Sequence, residues 1–203
     1  MDEKKLLKQL KLLKEKGEDM RLAADGWAND WQTLTAIILS ARTRDETTIK
    51  VCKKLFSKYP TAKKFSRLNL KKIEKIIYPI NFYRNKSKNI LNCSRKILSE
   101  FGGKVPQDIE KLISLPGVGR KTANVFLAEK GKQEIGVDTH VNYISNYLGW
   151  VNSRNPKIVE QKLKEIFPRR RHKDINWILV QFGKTYTSRK EKNEILDKIK
   201  KVV

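Results

Sequence analysis

A glycine-rich turn, a lysine and an aspartate lie near one another in the segment Leu115-Pro-Gly-Val-Gly-Arg-Lys-Thr-Ala-Asn124 and the later Gly136-Val-Asp-Thr-His140. Pro116 cannot continue a helical hydrogen-bond ladder, while Gly117 and Gly119 admit dihedrals and close backbone approaches that a Cβ would block. From Arg120 to Lys130 the residues favour helix, with Val125, Phe126 and Ala128 available for burial. The glycines therefore sit at a helix start, and Arg120 opens it. The first amides of a helix lack internal partners, so such a start attracts an anion through its N–H groups and its dipole. Lys121 falls in the first turn, where the positive end of the dipole and the surrounding cations favour the neutral amine. A neutral lysine amine can attack an electrophilic sugar carbon and form a Schiff base. Asp138 can then activate the amine or stabilise positive charge developing on the sugar. From the residues alone a second reading stays open, in which Lys121 only contacts phosphate and Asp138 only caps the helix beginning at Thr139.

Charge identifies the anion. The 203 residues include 45 Lys+Arg and 22 Asp+Glu, a formal charge of +23, which points to nucleic-acid phosphate. Ribosomal and chromatin proteins share that balance, so charge alone selects a class of partner. Two cysteines and an opening Met-Asp-Glu-Lys-Lys that does not read as a targeting peptide lead us to expect a reducing, cytoplasmic setting with the chromosomal DNA. No apolar run approaches the roughly 18 residues of a membrane span. His140 and His172 are the only histidines, and no Cys/His/carboxylate spacing suits zinc, so no metal site is expected. His140 reads as a helix-start neighbour of phosphate.

The elements that must hold these residues are helical. Leu6, Leu10 and Leu13 recur at helical spacing, as do Leu34, Ile37, Ile38 and Ala41. Asp45 is expected to cap a third helix carrying Ile49, Cys52, Leu55 and Phe56. Further helices are predicted after Asn69, from about Ile90 to Phe101 with Gly102-Gly103 at its end, and after Pro106. Thr187 to Ile199 reads as a charged helix with Ile195, Leu196 and Ile199 on one side. No alternating strand pattern, repeat or low-complexity tract is present, so the expected fold is all-α.

With these residues in hand, the chain resembles the helix-hairpin-helix DNA glycosylases, and within them the endonuclease III family. The resemblance rests on Leu115 to Asn124 with Val137-Asp-Thr-His140, and extends over Leu34-Thr-Ala-Ile-Ile-Leu-Ser-Ala41, Tyr83 to Lys86, Trp177-Ile-Leu-Val180 and Phe182-Gly183. It implies a two-lobed helical fold: a central bundle over 22–134 containing the hairpin, and a second lobe formed by 1–21 and 135–203, with DNA and the active site at the cleft. It implies a bifunctional glycosylase and abasic-site lyase of base excision repair, acting as a monomer on damaged double-stranded DNA and removing oxidised pyrimidines. Lys121 would attack C1′ with help from Asp138. Gly117, Gly119, Arg120, Lys86 and His140 would lie along the DNA backbone, and Phe82 would wedge beside the flipped nucleotide, whose extrusion must be compensated.

Two departures accompany the resemblance. The family ordinarily holds a [4Fe–4S] cluster on four cysteines near the C-terminus, whereas Cys52 and Cys93 both precede the hairpin. No iron–sulfur cluster or other redox cofactor is expected, although a monovalent cation on hairpin carbonyls near Leu115 and Val118 is compatible with the family. Arg42 stands where the family has a gap-filling glutamine, and its fork of donors could meet the orphaned base or grip phosphate. Two other functions compete with the leading reading: a non-catalytic hairpin protein that only binds DNA, and a mismatch or uracil glycosylase.

Overall fold

A computed structural model describes residues 2–202. Its α-helices run in the order α1 (Glu3–Lys16), α2 (Asp30–Ser40), α3 (Asp45–Lys58), α4 (Ala62–Phe65), α5 (Leu70–Ile77), α6 (Tyr83–Glu100), α7 (Ile109–Ile113), α8 (Arg120–Glu129), α9 (Thr139–Tyr147), α10 (Pro156–Ile166), α11 (His172–Thr185) and α12 (Arg189–Lys200). A single 3₁₀ turn at Arg169–Arg171 precedes α11. The fold is all-α, with no strand among the described residues. None of these helices is long and apolar enough to cross a membrane. The chain divides into two compact units, Arg21–Phe126 and Met1–Met20 with Leu127–Val203. One division lies inside α8 rather than at the expected 134.

The first unit is organised around α2, which is buried from Trp31 to Leu39 and packs on α3 and α6. Burial on all sides explains why its apolar residues are continuous instead of forming one stripe. Trp31 packs against Phe56 of α3 and Phe65 of α4, and its indole N–H donates to Ser94 Oγ of α6 at 2.8 Å. Asn29 caps α2 by accepting the Gln32 N–H at 3.1 Å, and Asn69 caps α5 through the Lys72 N–H at 2.8 Å. Asp45, expected as the cap of α3, is its first helical residue; the capping position belongs to Arg44, which makes no side-chain cap bond. An acidic first turn still complements the dipole. The helix expected near Ile90 begins earlier, at Tyr83, and stops where Gly102 and Gly103 turn left-handed and the Gly103 N–H reaches Ile97 O at 2.9 Å.

In the second unit α11 is central and packs on α1 and α9, while α12 covers α1. The apolar core takes Leu6, Leu10 and Leu13 from α1, Val141 and Ile144 from α9, Ile175 to Phe182 from α11, and Leu196 and Ile199 from α12. Gln9 is buried among them and ties three parts together: its amide donates to Ile199 O at 3.2 Å and its carbonyl accepts the Trp150 indole N–H at 2.7 Å. A row of tyrosines fastens α12 to α9. Tyr143 donates to Asn193, Tyr147 donates to Asp197 at 2.9 Å, and Arg189 and Lys200 lie over the two rings. The charged C-terminal helix expected from its pattern is thus anchored by two buried aliphatic residues and a polar seam.

Two outcomes follow. Burial pushes the thiols of Cys52 and Cys93 up to about 12, so both should resist Ellman's reagent in the native protein and react after unfolding in guanidinium. Leu196→Ala removes a fully buried side chain from the α12 contact and should lower the unfolding free energy by about 2–5 kcal/mol, read from urea denaturation.

Candidate active site

The hairpin begins where α7 ends. Leu115 and Val118 are buried and pin the turn from beneath, and the Val118 N–H closes it on Leu115 O at 3.1 Å. Gly117 is left-handed, with φ +80°, and a Cβ there would lie 2.8 Å from Asn89 Cβ of α6. Gly117 is therefore required twice, by dihedral and by space. Gly119 differs: a Cβ would meet nothing within 4 Å. Its carbonyl accepts the Ala123 N–H at 2.9 Å, so it stands at the start of α8 and offers no side chain to cover the first amides. Lys121 follows in the first turn with an exposed side chain, while Ala123 to Leu127 are buried and fix the helix. Lys96 of α6 braces the hairpin from the other side, donating to Ser114 O at 2.9 Å.

Asp138 belongs to the second unit. Ile135 and Val137 are core residues, and Asn176 of α11 donates to Gly136 O at 2.6 Å, so the approach to Asp138 is held at three successive residues. Asp138 is half-buried and caps α9, its Oδ1 accepting the Val141 N–H at 2.9 Å. Oδ2 takes no hydrogen bond among the described residues. Capping uses one carboxylate oxygen and leaves the other for chemistry, so the capping and catalytic readings of Asp138 are compatible. His140 lies one turn on, its ring over α11: a Cβ on Gly183 would sit 2.3 Å from His140 Nδ1. A recess of about 350 Å³ beside it is lined by Thr139, His140, Tyr143, Thr187, Arg189 and Lys192. Lys192 donates to Gly183 O at 2.8 Å, and burial lowers its tendency to hold a proton. The other histidine, His172, is buried with its ring nitrogens at Phe167 O and Gln133 O, inside the basic stretch that follows Pro168.

Arg42, Phe82 and Lys86 are brought together in the first unit. Arg42 and Phe82 are the two non-glycine residues with positive φ among those described, at 54° and 60°. Such a backbone costs roughly 1–2 kcal/mol per residue. Phe82 is 58% exposed, and the Arg42 guanidinium lies 5.8 Å from the centre of its ring. Lys86 does not lie on the surface as a backbone contact would require. It is 7% exposed, and its ammonium donates to Leu39 O at 2.8 Å, to Ala41 O, and to Thr43 Oγ1 at 3.3 Å. Burial pushes its amine down to about 8. Asn81, absent from the sequence reading, donates its N–H to Thr43 Oγ1 at 3.2 Å and its side chain to Arg42 O. Asn176 and Gly183 were equally illegible, except as a polar residue and a glycine set in the apolar run of α11.

The donor set does not fit a thiolate-held cluster. Both thiols are buried in α3 and α6 and held protonated, and Thr187 leads directly into α12. Among the described residues no three His, Cys, Asp or Glu side chains are grouped so as to hold a metal ion.

Known proteins place this architecture. Residues 35–169 match the HhH-GPD superfamily base excision DNA repair protein family. Endonuclease III of Thermotoga maritima is 41% identical over 155 residues, covering 76% of this chain and 73% of the relative. Endonuclease III of Bacillus subtilis is 36% identical over 183 residues, covering 88% and 84%. A solved structure of a trapped endonuclease III–DNA covalent intermediate, an estranged-adenine complex, superposes with a TM-score of 0.85 at 32% identity, covering 93% of this chain and 89% of the other. The hairpin, the lysine that follows it and the capped aspartate thus occur in a chain that belongs to the HhH-GPD superfamily of base excision DNA repair proteins.

Proposed function

We propose that the chain is a bifunctional DNA glycosylase and abasic-site lyase that removes oxidised pyrimidines from double-stranded DNA. The observation that carries this reading is an exposed Lys121 amine in the first turn of α8, directly after a glycine hairpin with uncovered amides. The amides of α8, with Arg120 beside them, receive a backbone phosphate and so bring a sugar to the lysine. His140, with Arg189 in the neighbouring recess, supplies a second phosphate contact.

In the first chemical step the Lys121 nitrogen attacks C1′, and the bond from C1′ to the base breaks with its electron pair leaving on the base. Sugar-ring opening then gives an iminium between C1′ and the lysine nitrogen. Loss of a C2′ proton and departure of the 3′ phosphate, as the bond from C3′ to oxygen breaks, cut the strand 3′ to the lesion. Water hydrolyses the imine and restores the amine. Asp138 accepts a proton from the attacking amine and stabilises the positive charge that develops at C1′, using the oxygen not engaged in capping.

This activity is carried without an iron–sulfur cluster in the second unit. Support for that statement is the lack of a fitting thiolate set together with the seam of α12 on α9, which braces the C-terminal region by side-chain packing. The covalent intermediate trapped for the related endonuclease III is the step expected here at Lys121.

Borohydride added to the protein with a duplex containing one abasic site should trap a covalent adduct in the wild type and none in Lys121→Ala, with duplex binding retained. A Lys121→Ala protein that nicks abasic DNA at the normal rate overturns the assignment. Asp138→Asn keeps a capping oxygen but loses the base, so base release should slow by about 10²–10⁴-fold with folding intact, measured in single-turnover assays beside thermal melts.

A further inference from the structure

Two loops of the first unit are joined by more bonds than their own folding needs. One follows α2 and carries Arg42; the other precedes α6 and carries Phe82. Lys86 reaches from the first turn of α6 to the carbonyls of Leu39 and Ala41 and to the Thr43 hydroxyl, occupying the end of α2 where carbonyls lack helical partners. Asn81 bonds the same hydroxyl through its N–H and the Arg42 carbonyl through its side chain. The ties therefore meet the chain at Ala41, Arg42 and Thr43 on one side and at Asn81 on the other. They flank the two residues whose backbones are left-handed without being glycine. Strained conformations of this kind persist only where the surroundings over-determine them.

What the ties present to solvent is a flat ring with a guanidinium against it. The ring can enter a base stack. A guanidinium only donates, in a fixed fork, and so matches a base edge with two adjacent acceptors. Guanine offers O6 and N7, whereas adenine offers N7 beside an amino donor.

We infer that Lys86, Thr43 and Asn81 are positioning residues that lock Arg42 and Phe82 into one preformed plug, and that this plug favours guanine over adenine as the base opposite the extruded nucleotide. The inference rests on the glycosylase reading and adds a specificity to it. A plug that is already assembled loses little freedom on entering the duplex, and a guanidinium held at a fixed place can discriminate between two purines. Arg42 contacts the orphan base; the other three act through it and through Phe82.

The test measures single-turnover release of one oxidised pyrimidine opposite guanine and opposite adenine, beside borohydride trapping on a single-stranded abasic oligonucleotide, which has no opposite base. The wild type should favour guanine by about tenfold or more. Arg42→Ala, Asn81→Ala and Lys86→Met should bring the ratio towards one while all three still trap the adduct. Asn81→Ala changes an exposed side chain and keeps the test decisive should Lys86→Met fold poorly. The double variant Asn81→Ala/Lys86→Met should lose no more of the ratio than the stronger single variant, because both act on the same pair of loops. A wild type with no preference for guanine, or an Asn81→Ala protein that keeps the full ratio, overturns the inference while adduct trapping leaves the lyase reading standing. Absence of any trapped adduct in the wild type overturns both.

Discussion

An α-helix ends in backbone groups that have no partner inside it, and every chemistry-bearing residue of this chain stands at such an end. Lys121 lies in the first turn of α8, Asp138 is the cap of α9, Phe82 occupies the capping position of α6 and Arg42 comes just after α2. The unmet needs at these ends differ, and so do the solutions. Gly119 leaves the α8 amides uncovered, which suits a visiting anion. Asp138 satisfies its helix with one oxygen and retains the other. Lys86 meets the carbonyls at the end of α2 with a charge drawn from another helix. The helices serve as rigid holders, and their ends are where an incomplete hydrogen-bond ladder becomes a place for a ligand or a catalyst.

Such ends must be held still, and the two units do this in different ways. In the first, the buried aromatic cluster of Trp31, Phe56 and Phe65 fixes α2, and the hairpin rests on buried Leu115 and Val118. In the second, α11 supplies both the apolar core and two small adjustments to the functional edge: Asn176 bonds the chain just before Asp138, and Gly183 makes room for His140. An alanine at Gly183 would collide with the imidazole, so a residue remote in sequence from Asp138 limits how α9 can be seated.

How much of this can be read from the sequence depends on how local the cause is. The hairpin is legible because Pro116, Gly117 and Gly119 act through their own dihedrals, and the cap at Asp138 because its partner is three residues away. The apolar side of α12 shows in the spacing of Leu196 and Ile199. Asp45 shows the limit of such signals: its residue type suits both the capping position and the first helical turn, and the chain path decides between them. Lys86 lies further out of reach. In a chain with +23 charges a lysine beside other cations reads as a surface contact, and only the tertiary structure reveals that its ammonium ends on two carbonyls and a hydroxyl of a distant loop. Asn81 is hidden for the same reason, because both its partners lie about forty residues upstream.

The left-handed backbones of Arg42 and Phe82 carry an evolutionary implication. Glycine or asparagine adopts that conformation with less strain, so a selection for heat resistance alone would drift towards them at both positions. Each such exchange would make the loops easier to fold and would delete a guanidinium or an aromatic ring. Thermal tolerance and the reading of DNA are thus pulled in opposite directions at the same two codons, and relatives adapted to hot environments that keep bulky residues there must draw their extra stability from other parts of the molecule.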